Sequence, residues 1–137
     1  MHKDVSLIIF YKDNKILLQD RRNMSKFGEE WGFFGGRIEQ SETPEQAVIR
    51  ETKEELSYDL KKFRFVTQTY GKVKDVNFSC YVYIAPLTTI EDFQQKEGQA
   101  MALFTEQEAL KLKMNQPDYE IIKEVFKFLR AGKNKLG

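Results

Sequence analysis

The sequence predicts an α/β fold, a mixed central β-sheet covered by helices. Three observations point there. Stretches rich in β-branched and aromatic residues alternate with amphipathic stretches in the order strands, helix, strands, helix. Of the 137 residues, 41% are hydrophobic and 13% aromatic, which is enough to bury a core and too much for a disordered chain. No repeat, low-complexity tract or linker interrupts the chain, so residues 1–137 read as a single domain.

The elements follow in order. "VSLIIFYK" (5–12) has the composition of a strand, "KDN" offers a turn, and "KILLQD" (15–20) completes a hairpin. "DRRNMSKFGEE" (20–30) is polar and reads as a loop, and "WGFFGG" (31–36) as one short strand ending in two glycines. Residues 41–57 read as a helix. Thr43 is its cap, Pro44 stands at the first helical position, and Gln46 completes a capping box. "FRFVTQTY" (63–70) and "VNFSCYVYIAP" (76–86) are two further strands, the second broken at Pro86. Residues 90–99 read as a loop and "MALF" as a short strand. Thr105 and Glu108 then open a short helix through a second capping box. The last helix, 117–130, takes Asp118 as its cap and repeats apolar residues at helical spacing; "AGKNKLG" reads as a frayed basic tail.

Composition excludes several classes. A formal net charge of +1 argues against a broad electrostatic grip on nucleic acid or an anionic membrane. Cys80 is the single cysteine, so no internal disulfide forms, which fits a reducing, cytoplasmic setting. No apolar run approaches the roughly 18 residues of a membrane span, and the start shows no signal-peptide pattern. His2 is the sole histidine and lies at the terminus, which removes histidine-centred catalysis.

The helix at 41–57 poses a problem. At 100° per residue, Val48, Ile49, Thr52 and Leu56 form the arc expected to face the core. Glu51, Glu54 and Glu55 form a neighbouring arc near the C-terminal end, where the helix dipole disfavours anions. Two such charges about 5 Å apart repel by roughly 3 kcal/mol at an effective dielectric near 20. Only Arg50 and Glu54 offer an opposite-charge pair at four-residue spacing. Hard oxygens converging from one helix face suit Mg²⁺ or Mn²⁺. A solvated acidic face is the ordinary explanation for such a run. Here a glycine pair precedes the helix and a further carboxylate, Glu42, sits in the connecting loop.

The stretch from Gly36 to Tyr58 resembles the Nudix box of the Nudix hydrolases. Gly36, Glu42, Arg50, Glu51, Glu54 and Glu55 stand at the spacings of that pattern. Thr52 replaces an aliphatic residue, Ser57 the closing glycine and Tyr58 the last aliphatic residue. Phe34 stands where a proline often precedes the glycines. The resemblance implies an α/β/α sandwich with a mixed sheet and metal-dependent hydrolysis of a nucleoside diphosphate linked to another group. It further implies that Glu51, Glu54 and Glu55 bind Mg²⁺ or Mn²⁺, with the carbonyl of Gly35 or Gly36 as a further ligand. Arg50 would orient the glutamates together with Glu42. A carboxylate would take the proton from the attacking water, either a glutamate of the box or Glu97 in "KEGQ".

Outside the box, Arg21 and Arg22 follow the second strand, where relatives of this fold place a basic residue against phosphate; two solvated loop charges are the alternative. Trp31 and Phe33 fall on one face of a short strand and either flank a base or pack in the core, the second being preferred. Phe27 and Tyr81 are weaker base contacts, and Cys80 reads as a small buried hydrophobe. The short chain is most similar to the Nudix enzymes that convert nucleoside triphosphates, oxidised ones included, to monophosphate and pyrophosphate. The competing reading is a non-catalytic Nudix-like module that binds a nucleotide and regulates a partner. The retained glutamates count against it, and the near-neutral charge counts against an RNA-end processing enzyme. Homodimers are frequent in the family.

Overall fold

The computed structural model describes residues 1–88, 93 and 100–136, with side chains through residue 132. Seven strands form one sheet: β1 (His2–Lys12), β2 (Lys15–Asp20), β3 (Trp31–Gly32), β4 (Phe34–Arg37), β5 (Arg64–Val73), β6 (Val76–Pro86) and β7 (Met101–Thr105). The helices are α1 (Pro44–Leu56), α2 (Glu106–Ala109) and α3 (Gln116–Leu136). The path runs β3-β2-β1-β6-β5, with β4 also on β1 and β7 also on β2. Among the described residues, only β1 and β6 pair in parallel, from His2 opposite Asn77 to Tyr11 opposite Pro86. The sheet is therefore mixed, as expected.

Alternation along the central strands builds a core on each face. Ile9, Ile16, Leu18, Val82 and Ile84 pack on one side against Ile121, Ile122, Val125 and Phe126 of α3. Ile8, Phe10, Leu17 and Tyr83 pack on the other against Val48 and Leu56 of α1. This is the α/β/α sandwich. Each such side chain, fully buried, contributes roughly 1.5–3 kcal/mol. Two hydrogen bonds pin α1 to the sheet: the Ser6 hydroxyl donates to the Pro44 carbonyl at 2.8 Å, and the Tyr83 hydroxyl to Glu45 at 2.7 Å.

Several elements differ from expectation. The strand expected over 31–36 is two strands with different partners: β3 pairs with β2 and β4 with β1. The Gln19 amide donates to the Phe33 carbonyl at 3.0 Å and holds the crossover between them. Pro86 ends β6 rather than breaking it, and β5 continues to Val73. On α1 the buried set is Ala47, Val48, Thr52 and Leu56, whereas Ile49 is exposed; the core-facing arc is rotated toward Ala47. Helix α3 begins at Gln116, which places Asp118 in its first turn rather than at its cap. The tail expected to fray continues α3 to Leu136, since Ala, Lys and Leu are good helix formers and one glycine does not stop them.

Candidate active site

The carboxylate arc of α1 lies against the glycine pair of β4. Gly35 has φ 139°, and a Cβ there would sit 2.1 Å from the Ser6 carbonyl oxygen, so only glycine fits. Its N–H donates to the Glu55 carboxylate at 2.8 Å. At Gly36 a Cβ would meet the Glu51 carboxylate at 2.4 Å, so the missing side chain is what lets Glu51 approach the backbone.

Arg50 gathers the remaining acids. Its Nε and Nη2 donate to the two oxygens of Glu42 at 2.7 and 3.0 Å, a bidentate pair. Nη2 also reaches the Arg37 carbonyl at 3.0 Å. Nη1 donates to Glu51 at 2.9 Å and, at 3.4 Å, to both oxygens of Glu54. The Arg50 hydrogen bonds, aided by the Glu39 N–H, hold the Glu42 carboxyl down at about 2. Burial pushes the Glu51 carboxyl above its ordinary value, against the pull of Arg50. One guanidinium thus faces Glu39, Glu42, Glu51 and Glu54, while Glu55 accepts from the Gly35 backbone N–H.

The donor set fits a hard divalent cation: several carboxylate oxygens from one helix face beside a glycine backbone. Among the described residues, the acids are not already gathered into a chelate. Arg50 bridges Glu51 and Glu54, and its 3.4 Å contacts to Glu54 lie beyond the usual hydrogen-bond range, so they are easily given up.

Gly35 and Gly36 also line a cavity of about 200 Å³ on the α3 side of the sheet. That is below the roughly 300–1,000 Å³ of sites for drug-sized ligands, a size suited to one ring system rather than a whole nucleotide. Phe27, Phe33 and Pro117 supply apolar walls, and Arg21, Asn115 and Asp118 supply polar groups. Burial, reinforced by Glu29 and opposed by Arg21, pushes the Asp118 carboxyl up to about 7. Asp118 and Asn115 had no signal in the sequence beyond a helix start, because what they face is decided by distant strands.

The family profile of the NUDIX domain matches residues 1–125. The chain belongs to the Nudix family. It is 30% identical over 134 residues to the CTP pyrophosphohydrolase of Escherichia coli (strain K12), covering 95% of each chain. It is 30% identical over 92 residues to an 8-oxo-dGTP diphosphatase of the same organism, 67% of this chain and 70% of that one. The solution structure of the E. coli ORF135 protein superposes with a TM-score of 0.76 at 28% identity, covering 96% of this chain and 92% of that one.

The departures from the Nudix box have local explanations. Thr52 is fully buried because its hydroxyl donates to the Val48 carbonyl at 2.6 Å. Ser57 caps α1 in the left-handed region, φ 53°, where glycine is the usual occupant. Tyr58 packs edge-on against Phe10 and Phe93, and Phe34 is fully buried in the same cluster. Of the other candidates, Arg21 lines the cavity and Arg22 is exposed and clamped on Asp20. Trp31 stacks edge-on with Phe104, and Phe33 is buried at the cavity wall. Tyr81 packs with the α1-side cluster, on the sheet face away from the cavity. Cys80 is buried, and burial pushes its thiol up to about 11. Glu97 lies outside the described residues. No helix among the described residues is long and apolar enough to cross a membrane.

Proposed function

We propose that this Nudix pyrophosphohydrolase converts a nucleoside triphosphate, ordinary or oxidised, to the monophosphate and pyrophosphate with Mg²⁺ or Mn²⁺. Glu51, Glu54, Glu55 and the Gly35 carbonyl hold the metal, and Arg50, itself held by Glu42, positions Glu51 and Glu54. The cavity takes the base between apolar walls while Asn115 and Asp118 meet its polar edge. Supporting this most directly is adjacency: Gly36 touches the Glu51 carboxylate on one side and lines the cavity on the other. A nucleotide base in the cavity would therefore bring its phosphates toward the carboxylates. The named activities of the E. coli relatives, on CTP and on 8-oxo-dGTP, point to the same substrate class.

The pyrophosphate link is polyanionic and repels an attacking hydroxide. A bound divalent ion supplies charge shielding, a more acidic water and a brace for the leaving group. The chain's own part is to orient the carboxylates, to hold the base, and to remove the water's proton with a glutamate of the box or Glu97. The test is product analysis by ion exchange after incubation with a panel of nucleoside triphosphates and Mg²⁺. Monophosphate and pyrophosphate in equal amounts are expected. Release of orthophosphate and diphosphate, or no turnover of any triphosphate, would refute the assignment.

A further inference from the structure

We propose that Arg21 is a specificity-determining residue which, among purines, selects guanine-type bases over adenine. This rests on the cavity being the base site. It assigns Arg21 to the base rather than to phosphate. The Arg21 side chain is folded into the hollow left by Gly32: a Cβ at that glycine would lie 2.5 Å from Arg21 Cδ and 3.5 Å from Nε. Nε donates to Glu29 at 3.0 Å. Glu29 is buried and otherwise satisfied, accepting from the Ser25 hydroxyl at 2.7 Å and the Phe27 N–H at 3.2 Å. The guanidinium is therefore fixed at the cavity by a carboxylate with its own partners.

The two terminal amino groups of Arg21 make no hydrogen bond among the described residues, and neither does the Asp118 carboxyl. The cavity thus offers donors from Arg21 and, from Asp118, a carboxyl group that accepts through its carbonyl oxygen. Arginine has five donors and no acceptor. Guanine presents O6 and N7 to such a fork, whereas adenine presents an amino donor where guanine has O6. Adenine would set donor against donor and leave a buried polar group unpaired, the situation in which binding sites discriminate most strongly.

Gly32→Ala tests this without replacing the arginine, because the added methyl occupies the seat of the Arg21 side chain. Arg21→Met removes the donors at similar length, and Arg21→Lys keeps charge without the fork. The measurement is kcat/KM for dGTP and dATP with Mg²⁺, on variants whose melting curves show a folded protein. The guanine-to-adenine ratio should fall at least tenfold in Gly32→Ala and Arg21→Met, mainly through KM. Arg21→Lys should recover only part of it. If the ratio stays within twofold in the folded variants while Asp118→Asn alters it, the cavity holds the base and the role of Arg21 is wrong. If Asp118→Asn also changes nothing, the base site itself lies elsewhere and both readings fall.

Discussion

At the scale of single residues, the site is a set of charges placed where folding alone would not keep them. Asp118 shows the cost. Its carboxyl is pushed from an ordinary 3.8 to about 7, so the fold favours the protonated form. The stability involved is fully present below about pH 3.8 and is lost as pH rises through about 7. Asp118→Asn should therefore raise the melting temperature at pH 8 and leave it nearly unchanged at pH 3.5, while base discrimination suffers. An equal shift at both pH values would refute the burial account. Glu42 is the opposite case. Held at about 2 instead of 4.5 by Arg50, it contributes stability above about pH 4.5 that is lost as pH falls toward 2. Arg50→Ala should flatten that part of an acid-unfolding curve. Ser57 carries a third signature, a left-handed φ of 53° at the end of α1. Leaving that region open to a side chain costs about 1–2 kcal/mol, and glycine's extra unfolded-state freedom returns part of the gain. Ser57→Gly should stabilise by about 0.5–1 kcal/mol, read as a rise of a few degrees in Tm.

Elements set what could be read in advance. Both capping boxes are present in full, Thr43 with Gln46 and Thr105 with Glu108, because a cap is a contact within four residues and its partners are neighbours in the chain. The arc of Glu51, Glu54 and Glu55 was equally legible, since its spacing encodes one helix face, whereas Gly36 and Glu42 were read through the resemblance to the Nudix box. What escaped was decided at long range. The split of 31–36 into β3 and β4 depends on β2 and β1 arriving on different sides of Phe33. Ile49 satisfied the helical period yet is exposed, because packing against β1 and β4 turned α1 toward Ala47. Asp118 looked like a cap, and only the neighbouring strands make it a cavity wall. The crossover also predicts fragility. Gly35→Ala must drive a Cβ into the Ser6 carbonyl from a backbone region closed to side chains. A loss of about 3 kcal/mol or more is expected from strain and overpacking together. A variant that melts within a degree of the parent would contradict this geometry.

Across the whole molecule, the two faces of the sheet have different work, and β4 joins them. Helix α1 rests on one core cluster and presents its glutamates at the Gly35–Gly36 pair of β4; α3 rests on the other and closes the cavity. Chemistry and base choice should therefore separate. Glu54→Gln removes a charge from an exposed position, and Glu55→Gln keeps an oxygen able to accept from the Gly35 N–H. Neither change leaves a hole in the core, and each lowers the like-charge repulsion along α1. Both variants should melt at or above the parent temperature while losing at least a hundredfold in rate. Their guanine-to-adenine preference should persist in the residual activity, since the cavity is untouched. Chelation should abolish turnover in the parent, and Mg²⁺ or Mn²⁺ should restore it. Added metal should raise the parent's Tm by binding the folded state and raise that of Glu54→Gln much less. That thermal readout needs no substrate. If metal stabilises parent and variant equally, the carboxylate arc is not where the ion binds, whatever the kinetics show.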